Sequence, residues 1–218
     1  MKFINLDKQQ KIIKVNLEKR IKKVLNHGKY ILGPEVFELE EKLAAYVKIK
    51  HCITCSSGTD ALLILLMANN IGNGDAVITT PFTYIATAEV IALTGAVPVF
   101  TDIYSNTFNI DPFKIEKSIG IAKDKKLNPK AIISVDLFGL PSRYRLLESI
   151  AKKYNLILIE DSAQGFGGAV KGKKACSFGN AATTSFFPAK PLGGYGDGGA
   201  IFTKNDRIAK KCISIRNH

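Results

Sequence analysis

From about residue 50 onward, short β-branched runs alternate with helical stretches, and this alternation limits the fold more than any other feature. The runs are the segment around Ile53, then Ala76–Thr80, Val97–Thr101, Ala131–Val135 and Leu156–Glu160. Helical spacing resumes after the first four, from about Gly58, Thr83, Asp111 and Ser142. Strands separated by helices need crossover connections, which put the strands parallel and the helices on the faces of one sheet. The sequence therefore predicts an α/β doubly wound architecture. Residues 176–203 read as strand, glycine-rich loop and strand. Ahead of the alternation lie two amphipathic helices, 8–26 and 35–47, separated by the break Gly28 to Pro34. The first sets Ile12, Ile13, Leu17, Ile21, Val24 and Leu25 against a basic, solvated face. Asn205–Ile215 reads as a last helix before Arg216-Asn217-His218. The expected division is an N-terminal helical segment, 1–34, and one large α/β domain, 35–218.

Composition removes several classes. With 46% hydrophobic residues the chain is no disordered polyelectrolyte. Its longest purely apolar run, Ala61–Ala68, is far short of the roughly 20 residues that cross a bilayer. The start, Met1-Lys2-Phe3-Ile4-Asn5-Leu6-Asp7, becomes charged before an apolar leader core can form, so a cytoplasmic protein is expected. Lys plus Arg number 31 and Asp plus Glu 19, a net charge of +12. That sign suits anionic partners, nucleic acid among them. Only Arg20, Arg143, Arg145, Arg207 and Arg216 are arginines, however, and no RNP or zinc-finger spacing accompanies the lysines. A phosphorylated small molecule fits the charge equally, and no nucleic-acid partner is expected. Cys52 and Cys55 form a C-x-x-C without a second ligand pair, so no metal site is expected and both read as small buried thiols of a strand.

In a doubly wound sheet, ligands gather at the carboxyl ends of the strands. After the first strand, Ser56-Ser57-Gly58-Thr59-Asp60 opens an apolar helix. Such a terminus suits an anion as well as plain N-capping. After the second comes Pro81-Phe82-Thr83-Tyr84, an aromatic able to cover a planar ring or simply to pack. After Leu156–Ile159 come Glu160 and Asp161, two carboxylates that are costly to bury unpaired. Finally, Lys190 stands between Pro188 and Pro191, ahead of Gly193, Gly194, Gly196, Gly198 and Gly199. A lysine desolvated there is set to form a Schiff base with an aldehyde. Gly194, Gly196 and Gly199 match G-x-G-x-x-G, but they run into a strand instead of opening a helix, so no dinucleotide fingerprint is assigned. A phosphate site, a ring-covering aromatic, an acceptor for a ring nitrogen and an amine nucleophile together suit pyridoxal 5'-phosphate.

These segments resemble the DegT/DnrJ/EryC1/StrS sugar-nucleotide aminotransferases. The resemblance runs from Gly28-Lys-Tyr-Ile-Leu-Gly33-Pro34 through Ser57–Leu62, Thr83–Thr87, Glu160–Gln164 and Thr184–Thr203 to Arg216-Asn217-His218. It implies the large domain of the type I pyridoxal phosphate fold, with a mostly parallel sheet flanked by helices. It makes Lys190 the cofactor-bearing lysine and Asp161 the partner of the pyridine nitrogen. Gln164 would bond the ring hydroxyl, Gly58, Thr59 and Ser185 would hold the phosphate, and Tyr84 would stack on the ring. Sugar dehydratases of the family carry His where Lys190 stands, so Lys190 implies amino transfer. The run Ser185–Thr203 is most similar to enzymes that aminate UDP-2-acetamido-2-deoxy-3-oxo-glucuronate. The implied reaction moves an amino group from L-glutamate to a UDP-linked keto sugar for surface polysaccharide, in a homodimer with shared sites. Two departures stand out. Many members have His where this chain has Asp136, and family chains are longer, so a C-terminal truncation is expected. The alternative is a non-catalytic fragment or regulator of the same fold.

Overall fold

The computed structural model describes residues 4–218. Met1 to Phe3, which begin both the charged start and the expected 1–34 segment, lie outside the described residues. Helix α1 (Leu6–His27) is capped by Asn5, whose side chain accepts from the Lys8 N–H, and it ends on Gly28 in the left-handed region. Helix α2 (Pro34–Val47) starts with Pro at its first position and buries Leu43 and Val47.

Strands β1 (His51–Cys55), β2 (Asp75–Thr79), β3 (Val97–Phe100), β4 (Asn128–Val135), β5 (Ile157–Asp161), β8 (Ala181–Ser185) and β9 (Gly199–Thr203) form one sheet in the order β1-β9-β8-β5-β4-β2-β3. Five of them, from β8 to β3, run parallel, and β9 lies antiparallel to both β8 and β1. Between β5 and β8 a small antiparallel ribbon, β6 (Ala169–Val170) and β7 (Lys173–Lys174), turns through Lys171 and Gly172.

The helices divide between the faces. Helices α3 (Gly58–Ala68), α4 (Ala86–Leu93) and α7 (Asp206–Arg216) pack with Ile53, Val77, Ile133, Ile159 and Ile201. Helices α5 (Ile115–Asp124) and α6 (Tyr144–Tyr154) pack with Ile78, Ile132 and Leu158, and α2 covers Cys52, Ala182 and Phe202. Successive strand residues thus feed opposite cores, which explains the nearly continuous apolar runs.

Three expectations change. Helix α1 does not bury its apolar stripe: none of its residues is buried, and Ile12 is 75% and Leu25 62% exposed. Among the described residues it is tied to α2 by Arg20–Glu38, Lys23–Glu35 and His27–Glu35. Helix α4 begins at Ala86, not near Thr83, so Thr83 and Tyr84 stay in the loop at the end of β2. The helix expected from Asp111 opens as a 3-10 turn, Pro112–Lys114, before α5.

Candidate functional site

All seven residues singled out in the sequence line one cavity of about 370 Å³: Gly58, Thr59, Tyr84, Asp161, Gln164, Ser185 and Lys190. It opens at the carboxyl ends of β1, β2, β5 and β8, the position that sheet topology favours for ligands.

The first wall is the N-terminus of α3. Ser57 caps it, its Oγ accepting from the Asp60 N–H at 2.9 Å, and the Ala61 N–H donates to the Ser57 carbonyl. That leaves the Gly58 and Thr59 N–H groups at the cavity, where the helix dipole adds to their pull on an anion. Glycine at 58 is required by Ser185 at the end of β8, because a Cβ there would lie 2.7 Å from the Ser185 Cβ. Ser185 Oγ accepts from the Phe187 N–H, so its own proton is available to a ligand.

Asp161 ends β5 and is 5% exposed. Its Oδ2 accepts from Thr87 Oγ1 at 2.9 Å, and its Oδ1 from the Ala163 N–H at 3.2 Å. Thr83 Oγ1 lies 3.1 Å from Thr87 Oγ1 and completes a short relay. Burial pushes the Asp161 carboxyl above the usual aspartate range; Thr87, the Ala163 N–H and the charge of Lys190 pull it only partly back. A carboxylate so placed gains from a cationic N–H donor. Gln164 turns its Oε1 to the Phe138 N–H at 2.9 Å, which leaves its amide N–H2 as a donor.

Lys190 lies in the β8–β9 loop. Its backbone N–H donates to the Phe187 carbonyl, and the loop folds so tightly that a Cβ at Gly193 would meet the Pro188 carbonyl oxygen at 2.3 Å. Lys190 is half-buried, so it is partly withdrawn from solvent. Tyr84 lines the cavity mouth and is 68% exposed. Sequence reasoning missed Thr87, the side-chain donor to Asp161. Its signals were its place at the end of the Thr83–Thr87 segment and its spacing of four residues from Thr83, which puts both hydroxyls on one side of a helical turn. Phe187 and Asp197 also line the cavity and carried no signal of their own.

The two cysteines of the C-x-x-C take structural places. Cys52 and Cys55 contribute to opposite faces of β1, and no metal-binding cluster exists among the described residues. Burial raises both thiols, Cys55 to about 12. No described helix is long and apolar enough to cross a membrane.

Comparison with known proteins decides the affiliation. The model of the DegT/DnrJ/EryC1/StrS aminotransferase family matches residues 11–218. The chain belongs to this family. Among family relatives, the UDP-2-acetamido-2-deoxy-3-oxo-D-glucuronate aminotransferase of Pseudomonas aeruginosa is 50% identical over the whole chain, which covers 59% of that protein. The crystal structure of a DegT DnrJ EryC1 StrS aminotransferase from Brucella abortus superposes with a TM-score of 0.97 at 47% identity, over 99% of this chain and 58% of the other. The Bacillus subtilis NtdA structure with bound cofactor PMP gives 0.84 at 37% identity, over 99% and 46%. The chain thus spans about half to three-fifths of the length of these proteins.

Proposed function

We propose that this chain carries the pyridoxal 5'-phosphate site of a sugar-nucleotide aminotransferase. One observation supports the reading above the rest: a buried, under-compensated carboxylate, a lysine and a helix N-terminus share a single cavity. The donor set fits the cofactor group by group. The Gly58 and Thr59 N–H groups and Ser185 Oγ would take phosphate oxygens. Asp161 would accept from a protonated ring nitrogen, and the Gln164 amide would donate to the ring hydroxyl. Tyr84 would lie against the ring, and Lys190 would supply the amine. When bound, the cofactor offers a carbonyl carbon to amines and a ring that accepts electrons. The chain's part is to position that ring, to keep its nitrogen protonated through Asp161, and to move protons on Lys190 Nζ.

The substrate reading is a UDP-linked 3-keto sugar, supported by the 50% identity with the Pseudomonas enzyme. The amino donor is taken as L-glutamate, the setting as surface polysaccharide synthesis in the cytoplasm, and the assembly as a homodimer. Within the chain, 1–34 is assigned as a separate helical segment and 35–218 as the cofactor-binding domain. Support for that division comes from α1, which meets α2 through charged pairs and buries no residue.

The test is absorbance titration with pyridoxal phosphate, then borohydride reduction and peptide mapping. Covalent attachment at Lys190, abolished in Lys190→Ala, is the expected result. Attachment scattered over surface lysines, unchanged by that substitution, would overturn the reading.

A further inference from the structure

Behind the cavity floor lies a second acidic group that the proposed chemistry does not use. Asp136 follows β4, Glu160 precedes Asp161 on β5, and both are completely buried. Glu160 is the register partner of Ser134 on β4, two residues before Asp136, so the two carboxyls are neighbours, and a proton between them would let them share a hydrogen bond. Asp136 Oδ1 accepts from Tyr144 OH at 2.7 Å and from the Ser142 N–H at 3.0 Å, and its Oδ2 accepts from Ser162 Oγ at 3.2 Å. Glu160 takes the N–H groups of Cys176 at 2.6 Å and Phe178 at 2.8 Å.

The pair is joined to the site by backbone. The Asp136 N–H donates to the Asp161 carbonyl at 3.0 Å. Two residues on, the Phe138 N–H holds Gln164 Oε1, from a left-handed backbone with φ 55°. Gly165 must be glycine because a Cβ there would sit 2.4 Å from Ser162 Oγ and 2.8 Å from the Asp136 Cβ, so the turn carrying Gln164 rests on the pair.

We propose that the Asp136–Glu160 pair is a positioning element of the cofactor site, one shared proton holding the turns after β4 and β5 together and so fixing Asp161 and Gln164. The inference rests on the cofactor reading above. Burial, the largest influence on each carboxyl, favours a neutral partner, and for Glu160 the neighbouring Asp136 charge adds to it. The other titratable groups facing the pair are Tyr144 from α6 and Cys176 from the segment before β8, and burial raises both. Among the described residues no lysine, arginine or histidine pairs with either carboxyl. Removal of the proton would leave two buried like charges side by side, which must separate or admit water.

Asp136→Asn is the discriminating variant. Its Oδ1 can keep Tyr144 and Ser142, and its Nδ2 can donate to an ionised Glu160, so the link no longer needs a proton. The probe is pyridoxamine 5'-phosphate, which has no aldehyde and binds without covalent attachment, titrated by fluorescence at several pH values from neutral to alkaline. Native affinity should fall relative to the variant's, up to tenfold per pH unit once the pair ionises. Identical profiles would overturn the inference and leave the cofactor reading standing, whereas no binding at any pH would overturn both. Infrared titration of the native chain covers a variant that does not fold. A protonated carboxylic carbonyl band at neutral pH that disappears together with probe binding supports the pair, and absence of the band refutes it.

Discussion

The close approach of α3 to β8 yields a quantitative prediction. A methyl group at position 58 would stand 2.7 Å from the Ser185 Cβ and 3.3 Å from its Cα. Ordinary carbon contacts are about 3.5–4.0 Å, so one side has to retreat by close to 1 Å. Ser185 cannot readily do so, because it pairs with Gly199 in the middle of the sheet. In Gly58→Ala the helix terminus therefore moves. Overpacking of this kind costs ~1–3 kcal/mol, against a helix-propensity gain of at most about 1 kcal/mol. Subtracting the full gain leaves a net loss of about 0–2 kcal/mol, a fall in Tm of up to roughly 8 °C for a chain of this size. The same movement separates the Gly58 and Thr59 N–H groups from Ser185 Oγ, and pyridoxal phosphate binding should weaken by about tenfold, or ~1.4 kcal/mol. Gly120 in α5 is the matched control: a Cβ there meets nothing within 4 Å. Gly120→Ala should raise stability by about 0.5–1 kcal/mol. Thermal unfolding by circular dichroism, with cofactor titration of each variant, reads both signs. A Gly58→Ala protein with native Tm and native affinity would refute the steric reasoning.

Further outcomes follow from the charges and thiols. Thr87→Val removes a hydrogen bond to the buried Asp161 carboxylate, so stability should fall by ~1–2 kcal/mol and Asp161 should titrate higher still, measured by chemical denaturation and pH-dependent cofactor binding. All four cysteines are free, and burial raises every thiol, Cys212 to about 11. A thiol reagent at pH 8 should therefore label the native chain slowly and label all four after unfolding. Arg20 and then Lys42 push Glu38 down to about 2. Because its folded value is depressed, the α1–α2 tie is intact above the ordinary carboxylate range near 4, weakens as pH falls through about 2, and also weakens in high salt. Amide exchange across α1 should rise under both conditions while the sheet stays protected.

The alternation of strands and helices was legible because each buried strand must be apolar on both faces, and each glycine or hydroxyl residue after a strand marks a turn. Strand order was not. β9 inserts between β1 and β8 through pairings that no local pattern encodes. Pro129 and Lys130 hid the start of β4, which begins at Asn128 and accommodates the proline where its pairing with β2 shifts register. At the site, residues that face a ligand were readable because lysine, aspartate and glycine are unusual in their settings. Their supports were not. Thr87 meets Asp161 across 74 residues of sequence, and Asp136 meets Glu160 across the sheet. The exposed stripe of α1 shows the converse limit: amphipathic spacing states that a face seeks cover, and not what covers it.

The place of β9 also bears on the chain's emergence from the ribosome. Among the described residues β1 bonds only to β9, so its backbone lacks a sheet partner until residues 199–203 have been made. That is about 150 residues after β1 itself, or roughly 8–30 s at ~5–20 residues per second. For that interval Cys52 and Ile53 belong to an open edge, the hazard that unpaired strands present in any nascent protein. The ligand loop that joins β8 to β9 is made just before the closing strand, so the cavity and the sheet are completed by the same event.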